Sequence, residues 1–102
     1  FLADAEPALL INNAGVVSPM GALPQQDARE VAAAVAINVA APLILSAAFA
    51  QATVHVADRR VLQLSSGAGR KAYPGWSVYG ATKAALDAHV SAAALDAVPG
   101  LR

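Results

Sequence analysis

Ser65-Ser66-Gly67-Ala68-Gly69-Arg70-Lys71-Ala72-Tyr73-Pro74-Gly75-Trp76-Ser77-Val78-Tyr79-Gly80-Ala81-Thr82-Lys83 reads as the end of a buried strand, a loop, and the first turns of a helix. Tyr79 and Lys83 are four apart, so on a helix they share one face, one turn from each other. A phenol alone is a weak proton donor near neutral pH, and a lysine ammonium beside it favours the phenolate by charge attraction. Ser66 lies thirteen residues before Tyr79, at the carboxyl end of the preceding strand. Open α/β sheets place their ligands at that end. A serine hydroxyl and a tyrosine hydroxyl converging there can hydrogen-bond one and the same oxygen.

Two further marks accompany this stretch. One is Asn12-Asn13-Ala14-Gly15, and the other is Asn38 followed by Val39. Together with Tyr79-x-x-x-Lys83 and the upstream Ser66, they resemble the short-chain dehydrogenase/reductase family. A lone Tyr-x-x-x-Lys arises by chance in many chains; four features in family order and at family spacing do not. The resemblance covers nearly all of the chain but only the middle of the family's domain.

The resemblance implies an α/β fold: a partial Rossmann-like, doubly wound parallel sheet, represented by its central strand-helix-strand-helix segment. Residues 1–102 would be the central part of one NAD(P)-binding domain. The N-terminal cofactor half and the C-terminal substrate part would be absent. It also implies roles. Asn38, Ser66, Tyr79 and Lys83 would be catalytic, and Asn13, Ala14, Gly15, Tyr79 and Lys83 would border the cofactor. That cofactor would be NADP or NAD, with NADP slightly favoured. The reaction would be hydride exchange with a small carbonyl or alcohol substrate. Within the family, Ser65 to Gly69 and Pro74 to Tyr79 look most like the benzil-reductase and sepiapterin-reductase branch, which reduces dicarbonyls or pterin side-chain ketones with NADPH.

Composition sets bounds on this reading. One hundred and two residues allow one small domain or part of a larger one. The chain starts at Phe1 and stops at Leu101-Arg102, and both ends look cut. The formal net charge is zero, which argues against a nucleic-acid surface. With 57% hydrophobic residues, the chain has more apolar surface than its own size can bury, so it expects neighbours. Cysteine is absent, so disulfides and thiolate metal ligands are excluded, and no metal site is expected. No signal peptide is visible, and the cytoplasm is the expected location.

Taken in order, Phe1 to Pro7 leads into a buried strand at Ala8-Leu9-Leu10-Ile11, a short apolar run of the kind covered on both faces. Small residues in the turn at residues 12–15 let backbone approach a ligand closely. The alternative there is an ordinary strand-to-loop turn. Val16 to Gln26 reads as a loop broken by Ser18-Pro19 and Leu23-Pro24. Asp27 is placed to cap a helix running to Val54 or Ala57. Val31 to Ala50 carries no charge and is about as long as a membrane span. Asn38, Pro42 and the alanine content argue instead for a helix buried on more than one side, against its sheet and another subunit. Pro42 removes the N–H that would bond the carbonyl of residue 38. That carbonyl is then open to water, which the family uses in a proton relay to its lysine. The alternative is that Pro42 only bends the helix.

Val61-Leu62-Gln63-Leu64 reads as a second buried strand, in which the Gln63 amide needs partners. Ser65 reads as structural. In the loop Gly67–Ser77, Arg70, Lys71, Tyr73 and Trp76 read as surface or packing residues before substrate contacts. The last helix begins near Ser77 and ends at Pro99-Gly100, with Leu86, Val90, Ala93 and Ala97 as its apolar face. His89 reads as a surface or interface residue. The helices 27–54 and 77–98 are the pair that the family packs across a two-fold axis, so a homodimer or homotetramer is expected. The competing reading is a non-catalytic remnant or oligomerisation module, which the missing glycine-rich phosphate turn favours and the intact tyrosine, lysine, serine and asparagine disfavour. A membrane helix is a distant third.

Overall fold

The computed structural model describes residues 6–64 and 66–102. The readings for Ser65 and for the first five residues lie outside the described residues. Strand β1 spans Ala8–Asn12 and strand β2 spans Arg59–Gln63. They pair in parallel, Ala8 opposite Arg59 through Asn12 opposite Gln63. Leu101 forms a parallel bridge to Arg59 on the other side of β2. The Val61 N–H donates to the Arg102 carbonyl at 2.8 Å and the Arg102 N–H to the Arg59 carbonyl at 2.9 Å. A third parallel strand therefore begins at the C-terminal end of the chain, with β2 in the middle. Gly100 feeds it: its φ is 75°, and a Cβ there would lie 2.5 Å from the Ala57 carbonyl oxygen, so only glycine fits.

β2 begins two residues before the apolar run that signals it. Its first residue, Arg59, is buried at 3% exposure. It donates to the Ala50 carbonyl (2.8 Å), the Thr53 hydroxyl (3.3 Å) and the Pro99 carbonyl (2.9 Å). Nearby, Asp58 accepts from Arg60 and Arg102, whose hydrogen bonds hold its carboxyl below the usual carboxylate range.

Asp27 caps the long helix as its position predicts, its Oδ2 accepting from the N–H groups of Arg29 (3.1 Å) and Glu30 (3.2 Å). The helix has three parts: α1 at Ala28–Val35, a π-helical turn at Ala36–Ala40, and α2 at Ala41–Ala52. Its buried residues are Ala34, Asn38 and Pro42, one stripe at four-residue spacing. The helix Ala28–Ala52 is long and apolar enough to cross a membrane. The stripe instead packs a polar residue, Asn38, into the fold. Burial on more than one side is not seen among the described residues, since Ile44 and Leu45 are 66% and 51% exposed.

Both helices lie on the sheet face of Ala8, Leu10 and Asn12, where Asn12 reaches Ser46 of α2. The opposite face is bare: Leu9, Ile11 and Leu62 are 59%, 51% and 49% exposed. The strands are thus apolar on both faces but covered on one, as a central segment of a doubly wound sheet must be. The last helix, α3, spans Ser77–Leu95, three residues short of its expected end. Asp96 caps it and Ala97 turns with φ of 51°. Of its expected apolar face only Leu86 is buried; Ala97 lies beyond the helix, and Val90 and Ala93 line an open groove of about 530 Å3 between α2 and α3.

Candidate active site

Four backbone segments meet above the carboxyl ends of the strands. The loop after β1 brings Gly15, the π-helical turn brings Asn38, the end of β2 brings Ser66, and the first turns of α3 bring Tyr79, Thr82 and Lys83. Asn38 is fully buried. Its Oδ1 accepts from the Val16 N–H at 2.7 Å, and its Nδ2 donates to the Val16 carbonyl at 2.7 Å and to Thr82 Oγ1 at 3.1 Å. Thr82 Oγ1 in turn donates to the Tyr79 carbonyl at 2.8 Å. The carboxamide therefore ties the β1 loop to the helix of Tyr79 and Lys83.

The π-helical turn explains why this position sits where it does. The Ala41 N–H bonds the Ala36 carbonyl, five residues back, and Pro42 has no N–H to give. The α-helical bond from residue 42 to the Asn38 carbonyl is therefore absent. The extra residue of the wider turn is more than a bend, and it is a common device at functional positions.

Lys83 is 93% buried, at 7% exposure. Its ammonium lies 5.8 Å from the centroid of the Tyr79 ring. A Cβ on Gly15 would sit 3.5 Å from both Lys83 Nζ and Asn38 Oδ1, so Gly15 keeps the space beside these two groups open. Among the described residues, Lys83 has no hydrogen-bond or ion-pair partner. The lysine stem is buried, and its ammonium, which borders that space, is placed to meet the acceptors of a ligand there.

Ser66 caps a short helical turn, Gly67–Gly69, its Oγ accepting from the Ala68 N–H at 3.2 Å. The hydroxyl proton stays available to a ligand. The turn packs on α3 backbone to backbone: a Cβ on Gly69 would lie 3.0 Å from the Lys83 carbonyl carbon, and one on Gly80 would lie 3.0 Å from the Ala68 oxygen. Two glycines thus set the Ser66 turn directly against the Tyr79–Lys83 turn. Beside them, Trp76 meets the Tyr79 ring edge-on at 5.8 Å and stacks obliquely with Tyr73 at 5.4 Å. An aromatic wall borders the tyrosine.

Asn13 and Ala14 are exposed and line a separate groove of about 170 Å3 with Ile37, Pro42 and Leu45. Of the residues expected at the cofactor, Gly15 joins the Lys83 cluster, and no hydrogen bond among the described residues links Asn13 or Ala14 to it. Gln63 finds its partner across the sheet, its Oε1 accepting from Asn12 Nδ2 at 3.0 Å. Thr82 was not singled out by sequence. Its signal is a hydroxyl three residues after Tyr79, where it can reach back to a helix carbonyl.

A parallel α/β segment with a serine, tyrosine, lysine and asparagine gathered at its strand ends defines a class, and the comparisons agree with it. The profile of the short chain dehydrogenase family matches residues 8–100. The chain belongs to that family. The benzil reductase ((S)-benzoin forming) of Bacillus cereus is 39% identical over 90 residues, which are 87% of this chain and 36% of that protein. A short-chain dehydrogenase/reductase from Burkholderia vietnamiensis, known by crystal structure, superposes with a TM-score of 0.91 at 62% identity, over 94% of this chain and 44% of that one. An NAD+-bound xylitol dehydrogenase superposes with a TM-score of 0.85 at 28% identity, over 93% of this chain and 37% of that one. The chain thus spans about two fifths of the length of the relatives it matches.

Proposed function

We propose that this chain carries the catalytic centre of an NAD(P)-dependent oxidoreductase acting on a carbonyl/alcohol pair, as the central part, residues 1–102, of one Rossmann-like domain. The observation that carries this reading is Lys83, a buried lysine whose ammonium has no hydrogen-bond or ion-pair partner among the described residues, set against the Tyr79 ring and beside the space left by Gly15. The ribose hydroxyls of a nicotinamide dinucleotide are acceptors of the right kind, so the residues present fit such a cofactor. Lys83 and Gly15 would hold it, with Asn13 and Ala14 at its border.

The cofactor supplies or takes the hydride. In reduction, Ser66 donates its free proton in a hydrogen bond to the substrate oxygen as negative charge grows there. Tyr79 gives that oxygen its proton as general acid, and takes it back in oxidation as general base. The Lys83 ammonium stabilises the phenolate left behind. The Asn38 carbonyl holds a water that relays a proton towards Lys83. The cofactor reading is supported by the NAD+-bound relative, and the resemblance to the NADPH-using branch slightly favours NADP.

Two observations bear on the substrate. The relative in Bacillus cereus is a benzil reductase, and Trp76 and Tyr73 form an aromatic wall beside Tyr79. A ketone or dicarbonyl carrying an aromatic group fits that wall. The test is Tyr79→Phe in the intact protein. It keeps the ring against Trp76 and removes only the hydroxyl. We expect kcat for dicarbonyl reduction with NADPH or NADH to fall by about 100- to 10,000-fold with the thermal melt unchanged. Substantial turnover in that variant would exclude Tyr79 as the acid.

A further inference from the structure

We propose that Thr82 is a positioning residue: its hydroxyl fixes the Asn38 carboxamide and thereby holds the Tyr79–Lys83 turn in register with the β1 loop. This rests on the proposed active site but adds a residue to it. The argument starts from the direction of the protons. Thr82 is 3% exposed, so its hydroxyl must find its partners inside the protein. Its one proton goes to the Tyr79 carbonyl, 2.8 Å away. Towards Asn38, 3.1 Å away, Oγ1 can then only accept. The group of Asn38 facing Thr82 must therefore be the amide nitrogen.

The other end of the carboxamide is arranged to match. With Nδ2 on Thr82 and on the Val16 carbonyl, Oδ1 is left for the Val16 N–H. The reversed amide would set Oδ1 against Oγ1, two acceptors with no proton between them, and would present N–H to the Val16 N–H. The Val16 N–H and carbonyl enforce the same orientation, and Thr82 adds the bond that ties this amide to the Tyr79–Lys83 turn. Oδ1 in its fixed place also lies beside the space kept open by Gly15, next to Lys83 Nζ. A hydroxyl inside Tyr79-x-x-x-Lys83 thus joins the turn to the Asn38–Val16 clasp without touching substrate.

The test compares Thr82→Val, which keeps the shape and removes the hydroxyl, with Thr82→Ser, which keeps the hydroxyl, in the intact protein. Loss of one buried hydrogen-bonding partner is expected to lower kcat about 10- to 100-fold while KM for cofactor and carbonyl substrate stays within about 3-fold. Thr82→Ser is expected to restore most of kcat. A second readout needs no turnover: amide hydrogen exchange at Val16, whose N–H is bound to Oδ1, should speed up at least about 10-fold in Thr82→Val and stay near the parent rate in Thr82→Ser. If Thr82→Val does not fold, Thr82→Ala replaces it. A folded hydroxyl-free variant with unchanged Val16 exchange overturns the inference, whether or not the parent turns over. A parent without NAD(P)-dependent turnover but with the predicted exchange change sinks the functional reading and leaves the positioning role standing.

Discussion

At the residue scale, Arg59 is the least expected feature. It is a buried cation that no carboxylate reaches among the described residues, and its Nε has no partner. Its charge is met by carbonyls instead. Those of Ala50 and Pro99 belong to the last turn of α2 and the segment after α3. The negative end of the α2 helix dipole adds to the attraction. One side chain therefore joins the lower ends of both helices to the first residue of β2. Burying a cation is costly, and Nε loses water without compensation, yet removing the guanidinium would take the donor from two carbonyls, while the Thr53 hydroxyl keeps its bond to the Phe49 carbonyl. Hydrogen bonds to a charged group are worth more than neutral ones, so the loss should win. We expect Arg59→Met to destabilise the intact protein by about 2–4 kcal/mol in chemical denaturation. Arg59→Lys should recover only part, because an ammonium cannot fork to both carbonyls. A fully stable Arg59→Met would show that the desolvation cost of the cation equals the worth of its bonds.

At the element scale, the long helix shows how far the sequence reaches. Its start was legible because Asp27 has a local partner set, the next N–H groups of its own helix. The missing bond from residue 42 to the Asn38 carbonyl was legible because proline lacks an N–H. The π-helical turn was not, because whether a helix bends or widens there depends on what Asn38 grips outside the helix, Val16 and Thr82. The same reason hid the start of β2: Arg59 looks like a turn residue until Ala50 and Pro99 arrive from distant segments. The Tyr79–Lys83 pair was legible because helical spacing alone puts both on one face. The approach of Ser66 was readable in spacing, but the Gly69 and Gly80 contacts that seat it are tertiary. The π-helical turn yields a prediction of its own. Pro42→Ala restores an N–H that can bond the Asn38 carbonyl and relax the turn to α-helix. Stability should change by no more than about 1 kcal/mol, since the gained bond offsets the freer unfolded chain. Activity should nevertheless drop, because the acceptor for the relay water is consumed. Full activity in Pro42→Ala would mean the free carbonyl has no part in proton transfer.

At the scale of the whole molecule, apolar surfaces remain uncovered among the described residues. One is the sheet face of Leu9, Ile11 and Leu62. A parallel sheet of this class carries helices on both faces, so that surface belongs to the fold's own interior. Another is the outer side of the helices. Ile44 is 66% and Leu95 is 85% exposed, and Ala84, Ala88, Ser91 and Ala92 form an exposed strip of small residues along α3. No second layer of the same sheet can lie there, since the helices already intervene. Small side chains allow two helices to approach closely, and the isolated large ones can seat between them. We expect the intact protein to form a dimer or tetramer through the helices 27–54 and 77–98, with this outer side as the contact. Ile44→Asp and Leu95→Asp each place a charge in that contact and should weaken association by about 30-fold or more, seen as a fall towards monomer mass in light scattering. Because Asn38 and Thr82 lie on the inner side of the same two helices, dissociation should reach the active site only if the helices shift against each other. Activity that falls in step with dimer dissociation would show that they do. A double variant that is monomeric and fully active would show that the outer contact and the Asn38–Thr82 clasp are independent.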